Sequence, residues 1–470
     1  MKALISIKWQ KKKSDIPVYQ QIVDFLRTSI ENGDLPPMYV MPGHRKMATL
    51  FGVSINTMIH VMQVLKSYKL IEMSVRSKAV VTSKPTTKLD WNKYISRSLY
   101  NPKNTTFFSF AENHVGALNL SMGLDKDYYF REMYNEVLPN LKIPEVMATS
   151  PFGLPLLREE ICKYMSKYGI HANQKQVMIV TSVFYAMNVL FLGLLGHGMN
   201  LIVPKPCSLS ISNLVSTTGA NIIEIPIDEN GIIIERLRKA VQPSHNYILC
   251  ISPDQNVPTG TVTSMERRLE ILDICTKYKV PIIEYTFFPL GCTLSNIPSI
   301  KSMDKTGNTL HLSQIGVTGS TNPWLGWIIC DEYLLKRLNN IRFNLDLHQN
   351  YLTQVATLEI FNTDKYDSYL KHIYTIRKKR VVAVTKLLNK YLKKFAEWNT
   401  DNIDACIWLK FKNGINSYNI YKDAANVTFH PGKFYDDSDY EHAFVCPTAL
   451  SLQNLELGLS TMAKLAEKQI

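Results

Sequence analysis

A chain of 470 residues, 46% hydrophobic and 20% charged, has material for two or three domains and a large core. Its best candidate for a membrane span, Val189 to Val203, is broken by Gly193, Gly196, His197, Gly198 and Asn200. The apolar stretch after Met1 is too short for a signal peptide, so a cytoplasmic location without a membrane partner is expected. The net charge is +13, and residues 1–88 supply +9 of it, with fourteen Lys and Arg against five Asp and Glu. That asymmetry points to a polyanion-binding N-terminal module. The eight cysteines have neither metal-knuckle nor redox-pair spacing and read as free thiols, most of them buried, in a reducing compartment.

In chain order, the apolar spacing of Ile22, Val23, Leu26 and Ile30 predicts a helix over Gln20 to Asn32, broken by Asp34-Leu35-Pro36-Pro37. A second helix fits His44 to Phe51, Gly52-Val53 makes a turn, and Ser54 caps a third helix running to about Tyr68. The third helix places Met58, Val61, Met62 and Leu65 on its apolar face. Two short helices, a tight glycine turn and a capped helix with polar residues on its first turn make up helix–turn–helix grammar. Ile71 to Thr82, carrying Arg76 and Lys78, suits a β-hairpin wing.

This stretch resembles the GntR-type winged helix, through Pro17-Val18-Tyr19-Gln20-Gln21-Ile22, Arg45, Gly52-Val53-Ser54, Asn56-Thr57 and Leu65. The resemblance implies double-stranded DNA as partner, contacted by Arg45, Lys46, Ser54, Asn56, Thr57 and His60, with Arg76 and Lys78 on the wing. The family usually has Arg where Ile55 stands and glycines in the wing, where this chain has Arg76-Ser77-Lys78-Ala79. Base readout by arginine is reduced accordingly, and a scaffold that no longer binds DNA stays open as a reading. Residues 85–117 read as a linker with one short helix around Trp91 to Leu99.

From Leu118 onward, short apolar runs alternate with helical stretches. The runs are Val177–Val180, Leu201–Val203, Ile222–Ile225, Ile248–Ile251 and Pro281–Glu284; the helical stretches include Val183 to Leu195 and Met265 to Tyr278. The alternation predicts an α/β domain with a mostly parallel sheet covered on both faces. Phe152-Gly153-Leu154-Pro155-Leu156-Leu157-Arg158, Asp254 to Gly260 with Ser264-Met265-Glu266-Arg267-Arg268, Leu325-Gly326-Trp327-Ile328-Ile329 and Asn454 to Leu459 follow in collinear order. Together with the N-terminal module they resemble MocR-type GntR regulators, in which a winged helix precedes a fold-type-I aminotransferase-like domain. The layout implied is residues 1–84 as winged helix, 85–117 as linker and 118–470 as aminotransferase-like domain, with about 370–470 as its small C-terminal α+β subdomain.

In active members of that fold, pyridoxal phosphate (PLP) needs a lysine for its imine, an acid at the ring nitrogen and donors for its phosphate. Carried over by the resemblance, the lysine falls on Val317, and no lysine stands between Lys305 and Lys336. The ring-nitrogen acid falls on Tyr285, a tyrosine on Phe287, and a phosphate arginine on Trp324. Small phosphate-binding residues fall on Val183 and Phe184, followed by Tyr185; a stacking tyrosine falls on Ser208 and a carboxylate-binding arginine on Phe444. Glu284, the one acid near the ring position, reads as structural. The expectation is therefore a DNA-binding transcriptional regulator with no PLP, no catalytic residues and no metal site. Its aminotransferase-like domain would form a homodimer, in which a cleft filled by aromatic residues or altered for an unidentified small-molecule effector replaces the cofactor site. The rival is an aminotransferase with an atypical PLP site.

Overall fold

A computed structural model of the chain describes residues 9, 16–73, 78–82, 117–121, 128–141, 150–242, 246–316, 325–346, 350–363, 365–447 and 450–470. Arg76, the expected linker helix, Val317 and Trp324 lie outside these described residues. The chain forms two compact units, Met1–Ser98 and Leu99–Ile470.

The first unit holds α1 (Val18–Glu31), α2 (His44–Phe51), α3 (Ile55–Ser67) and the antiparallel pair β1 (Ile71–Glu72) and β2 (Val80–Val81). The first helix starts two residues earlier than its spacing predicted, because the Pro17 carbonyl accepts the Gln20 and Gln21 amides. Gly52 ends α2 in the left-handed region at φ 63°, where a β-carbon is costly. Ser54 then caps α3, its hydroxyl accepting the Thr57 amide at 3.1 Å. The two helices meet at 106°, within the range of helix–turn–helix pairs. Ile22, Val23 and Leu26 close over Met47, Phe51, Met58 and Leu65 in one core. Among the described residues of the expected wing, Ile71↔Val81 and Glu72↔Val80 pair, and residues 74–77 lie outside them.

The second unit continues with β3 (Leu118–Asn119), α4 (Tyr128–Val137), α5 (Pro155–Ser166), β4 (Val177–Val180) and α6 (Val183–Leu194). Next come β5 (Asn200–Lys205), α7 (Leu209–Ser216), β6 (Asn221–Asp228), β7 (Gly231–Ile232), α8 (Ile234–Ala240), β8 (Tyr247–Ile251), α9 (Met265–Tyr278) and β9 (Ile282–Tyr285). The large sheet is completed by β10 (Thr309–Gln314) and β11 (Gly326–Ile329), with α10 (Ile300–Met303) before them. Its order is β4-β11-β10-β9-β8-β5-β6-β7, and all strands run parallel except β11 and β7. Helices cover both faces. The α5 and α6 side buries Leu157, Ala186 and Ile283; the α8 and α9 side buries Leu237, Ile271 and Ile282. Successive residues of β9 thus point to opposite cores.

After α11 (Glu332–Leu345) and α12 (Tyr351–Phe361), the 27-residue helix α13 (Lys365–Tyr391) leads into a smaller subdomain. There β12 (Ala396–Trp398), β13 (Ile407–Phe411), β15 (His430–Pro431) and β16 (His442–Val445) form a sheet in the order β12-β13-β16-β15. Around it lie α14 (Ser417–Asp423), β14 (Val427–Thr428) and α15 (Leu452–Glu467). β14 pairs in parallel with β3, so the chain near Leu118 belongs to the core of this distant subdomain. No single described helix is long and apolar enough to cross a membrane. All eight cysteines are free and six are buried.

Candidate nucleic-acid interface and aminotransferase cleft

In the first unit, Arg45 and Lys46 are exposed on the opening turn of α2. Ser54 and Asn56 are exposed at the start of α3, and Ile55 keeps 43% of its surface open. Thr57 is half-buried and its hydroxyl lies 2.8 Å from that of Ser54, so this pair is partly committed to the cap. His60 is exposed, with its ring centre 4.7 Å from that of Tyr19 in an edge-to-face arrangement. Lys78 is exposed just before β2. From Leu35 to Ile71 the chain holds no acidic residue, so nothing on α2, α3 or the turn between them opposes an approaching anion.

In the second unit, the segments that follow β4, β5, β8, β9 and β10 leave the same edge of the sheet, where α/β folds place ligands. This convergence gathers most of the positions singled out in the sequence. Val183 and Phe184 open α6, and the Tyr185 amide in its first turn is already taken by the Ser182 hydroxyl at 3.1 Å. Ser208 is buried before α7. Tyr285 ends β9 and is buried, as is Phe287 two residues on. The Phe287 ring stands 5.4 Å from Phe184 and 5.1 Å from Tyr285, as one aromatic cluster.

Phe444 lies on the small-subdomain side, buried on β16, with its ring 6.0 Å from His430 and 6.4 Å from Tyr435. The Tyr285 and Tyr435 hydroxyls both sit in the neighbourhood of the Cys207 and Cys406 thiols. Burial pushes both phenols well above their ordinary pKa and pushes the Cys207 thiol up to about 12, so this lining is protonated and neutral. The cations close by are already paired. Lys205 reaches Asp436 at 2.8 Å and Glu224 at 3.7 Å, while Arg377 is held by Asp404, Asn402 and the Cys292 carbonyl.

Glu284 is fully buried on the opposite face of β9 from Tyr285. Its carboxylate accepts the Ile300 and Lys301 amides at 2.9 and 2.8 Å and lies 3.3 Å from His311 Nδ1. Burial raises its pKa, but the His311 hydrogen bond and charge and the Lys301 amide outweigh that effect and hold it below the usual carboxylate range. The acid therefore fastens α10 to the sheet and does not face the aromatic cluster.

Several residues to which the sequence assigned no role tie the cleft together. Arg268, fully buried, spans the Asp254 carboxylate at 2.7 Å and the carbonyls of Pro253, Thr263 and Pro298. Asn402 donates to the carbonyls of Asp254 and Gly260, and Gln255 donates to Cys406 Sγ. Asn402 and Cys406 stand more than a hundred residues from these partners, a separation at which spacing carries no signal. Asp254, Gln255, Gly260 and Arg268 lie within quoted motifs, whereas Asn402 and Cys406 do not.

Residues 136–284 match the model of the aminotransferase class I and II family. Over 97% of both chains, the sequence is 25% identical to the HTH-type transcriptional regulator YdfD of Bacillus subtilis. It is 24% identical to the HTH-type transcriptional regulator NorG of Staphylococcus aureus, over 85% of this chain and 93% of that one. Among solved structures, an archaeal alanine:glyoxylate aminotransferase superposes on 81% of this chain and 100% of its own with a TM-score of 0.71 at 21% identity. Fold and site define a chain in which a helix–turn–helix unit precedes a fold-type-I aminotransferase domain. That order agrees with the resemblance to MocR-type GntR regulators stated from the sequence.

Proposed function

We propose that this protein is a cytoplasmic transcriptional regulator that binds duplex DNA through the first turns of α2 and α3. Its aminotransferase-like domain serves dimerisation and effector sensing without PLP catalysis. The parts are residues 1–84 for DNA, 85–117 as linker and 118–470 for assembly. The observation that carries the reading is the exposed, acid-free surface bearing Arg45, Lys46, Asn56 and Ile55. Short polar groups at a helix start suit close approach to backbone and base edges, and Ile55 suits a thymine methyl. The names of the regulators similar to this chain over 85% of its length or more agree with it.

Salt-dependent binding to duplex DNA tests the reading. Arg45→Ala is expected to weaken binding to every duplex and to make the dependence of log K on log salt shallower by about 0.9. Asn56→Ala is expected to cost about 1–3 kcal/mol of discrimination between preferred and altered sequences, with little effect on the slope. Competition binding at several salt concentrations reads both. If wild type shows no salt-sensitive binding, or neither substitution changes it, the DNA reading fails.

The absence of PLP chemistry rests on residues. Phe184 stands at the helix start where a phosphate would need room, and the Tyr185 amide there is occupied. Tyr285 replaces a ring acid, Glu284 points to the other core, and no lysine lies between Lys305 and Lys336. These residues do not fit the cofactor. The purified protein, mixed with PLP and dialysed, is expected to retain no visible absorption that borohydride bleaches. A stoichiometric band that bleaches would restore the enzyme reading.

A further inference from the structure

Positive charge is concentrated a second time in this chain, more than 250 positions beyond the first unit in sequence. Residues 365–394 hold ten Lys and Arg against a single acid, Asp367. Their excess of +9 equals that of residues 1–88, and since the whole chain is only +13, the remainder is net acidic. This is a local field, not a general basicity.

Four of these basic residues lie on one side of α13. Tyr366, Tyr369, Ile373, Arg377, Val384 and Leu388 form its buried face. Lys371, Lys378, Lys379 and Lys386 are exposed. At 3.6 residues per turn these four fall within about 100° of arc, centred opposite the buried face, and span about 22 Å along the axis. Among the described residues, acids meet the exposed basic side chains near the helix ends, where Asp367 pairs with Lys167, Glu136 with Lys365 and Glu456 with Lys390, while the buried Arg377 at mid-helix is taken by Asp404. Among the described residues, none of the four central lysines forms an ion pair. Lys378 rests over the Tyr374 ring at 4.5 Å, a contact that leaves its charge exposed. Beyond the helix the stripe runs on through exposed Lys393 and Lys394 into a cavity of about 540 Å³, which is also lined by Lys390, Lys464 and Glu467.

Like charges this close repel one another, at a cost that an approaching polyanion removes. We infer that the exposed lysine face of α13 is a second binding surface for the phosphate backbone of duplex DNA, on the aminotransferase-like domain itself. The inference rests on the DNA-binding reading above and adds to it a contact that carries no sequence information. A straight row of single-sign charge suits a regularly spaced phosphate backbone. A lipid surface fits less well, because the apolar face that an interfacial helix would insert is here packed into the core.

The test uses the full chain with Lys378, Lys379 and Lys386 all changed to Gln, and a duplex of arbitrary sequence as probe. All three residues are exposed, so the thermal transition should be unchanged. Loss of three phosphate contacts should make the log K against log salt slope shallower by about 2.7. The ratio of wild-type to variant affinity should then shrink about fortyfold between roughly 50 and 200 mM salt. Discrimination between duplex sequences should not move. If the slope is unchanged while Arg45→Ala still lowers it, the lysine face is idle and the DNA reading stands without it. If wild type binds no duplex, both fall. If the triple variant loses binding to phosphatidylglycerol vesicles while its DNA slope is unchanged, the surface belongs to a membrane and the inference is overturned.

Discussion

Replacing Glu284 by alanine is expected to lower the free energy of unfolding by about 3–5 kcal/mol at neutral pH. The carboxylate is fully buried and accepts the first amides of α10 while facing His311. Alanine would leave two backbone donors and an imidazole without their acceptor in a medium that cannot solvate them. The folded-state pKa lies below its ordinary value, so the stabilisation is complete above the carboxylate range and fades as pH falls through the folded-state pKa. The gap between variant and wild type should therefore narrow in acid. Urea unfolding at neutral and at low pH checks both points. A loss below about 1 kcal/mol would mean that the acid is not what fastens α10.

Phe287→Ala is expected to cost about 3–5 kcal/mol, the range for removing a buried ring whose neighbours cannot collapse fully. Its ring is buried and touches Phe184 and Tyr285 at ring distances of 5.4 and 5.1 Å. The void left by the substitution would be apolar, and apolar voids of that kind stay dry and take up small aromatic molecules. Benzene or indole should raise the melting temperature of the variant and leave wild type unchanged. A cost under about 1 kcal/mol would mean that Phe287 lines an open cleft, and an effector pocket would then replace the filled cleft as the description of this site.

How much of this was legible in the sequence varies by element. Helix α2 and the stripe of Met58, Val61, Met62 and Leu65 on α3 were readable, because one amphipathic face and one cap signal settle a short surface helix. The central strands β4, β5, β8 and β9 were readable because a parallel strand covered on both faces is an unbroken apolar run. Strand β10 was not. It reads Thr-Leu-His-Leu-Ser-Gln, and all six residues are buried. Its polar side chains fit a sheet interior only because partners such as Glu284 for His311 and Thr286 for Ser313 come from β9 and the residue that follows it. Strand β3 was invisible for a similar reason: two residues become a strand only against β14, some three hundred positions away.

By itself the sequence determined the basic N-terminal module, the alternating α/β order and the lack of any lysine between Lys305 and Lys336. Each of these is a local property, a count, a period or a residue type, and needs no neighbour to be read. Tertiary structure decided the rest. It turned Glu284 away from Tyr285, since adjacent residues on a strand face opposite cores. It brought Arg268 onto Asp254, and Arg377 onto Asp404 and Asn402, closing buried charges that no spacing announces. It also aligned the α13 lysines into one exposed face by burying the other side of the helix. Burial and pairing arise between distant segments, so only the folded chain fixes which charges are neutralised and which remain free to bind.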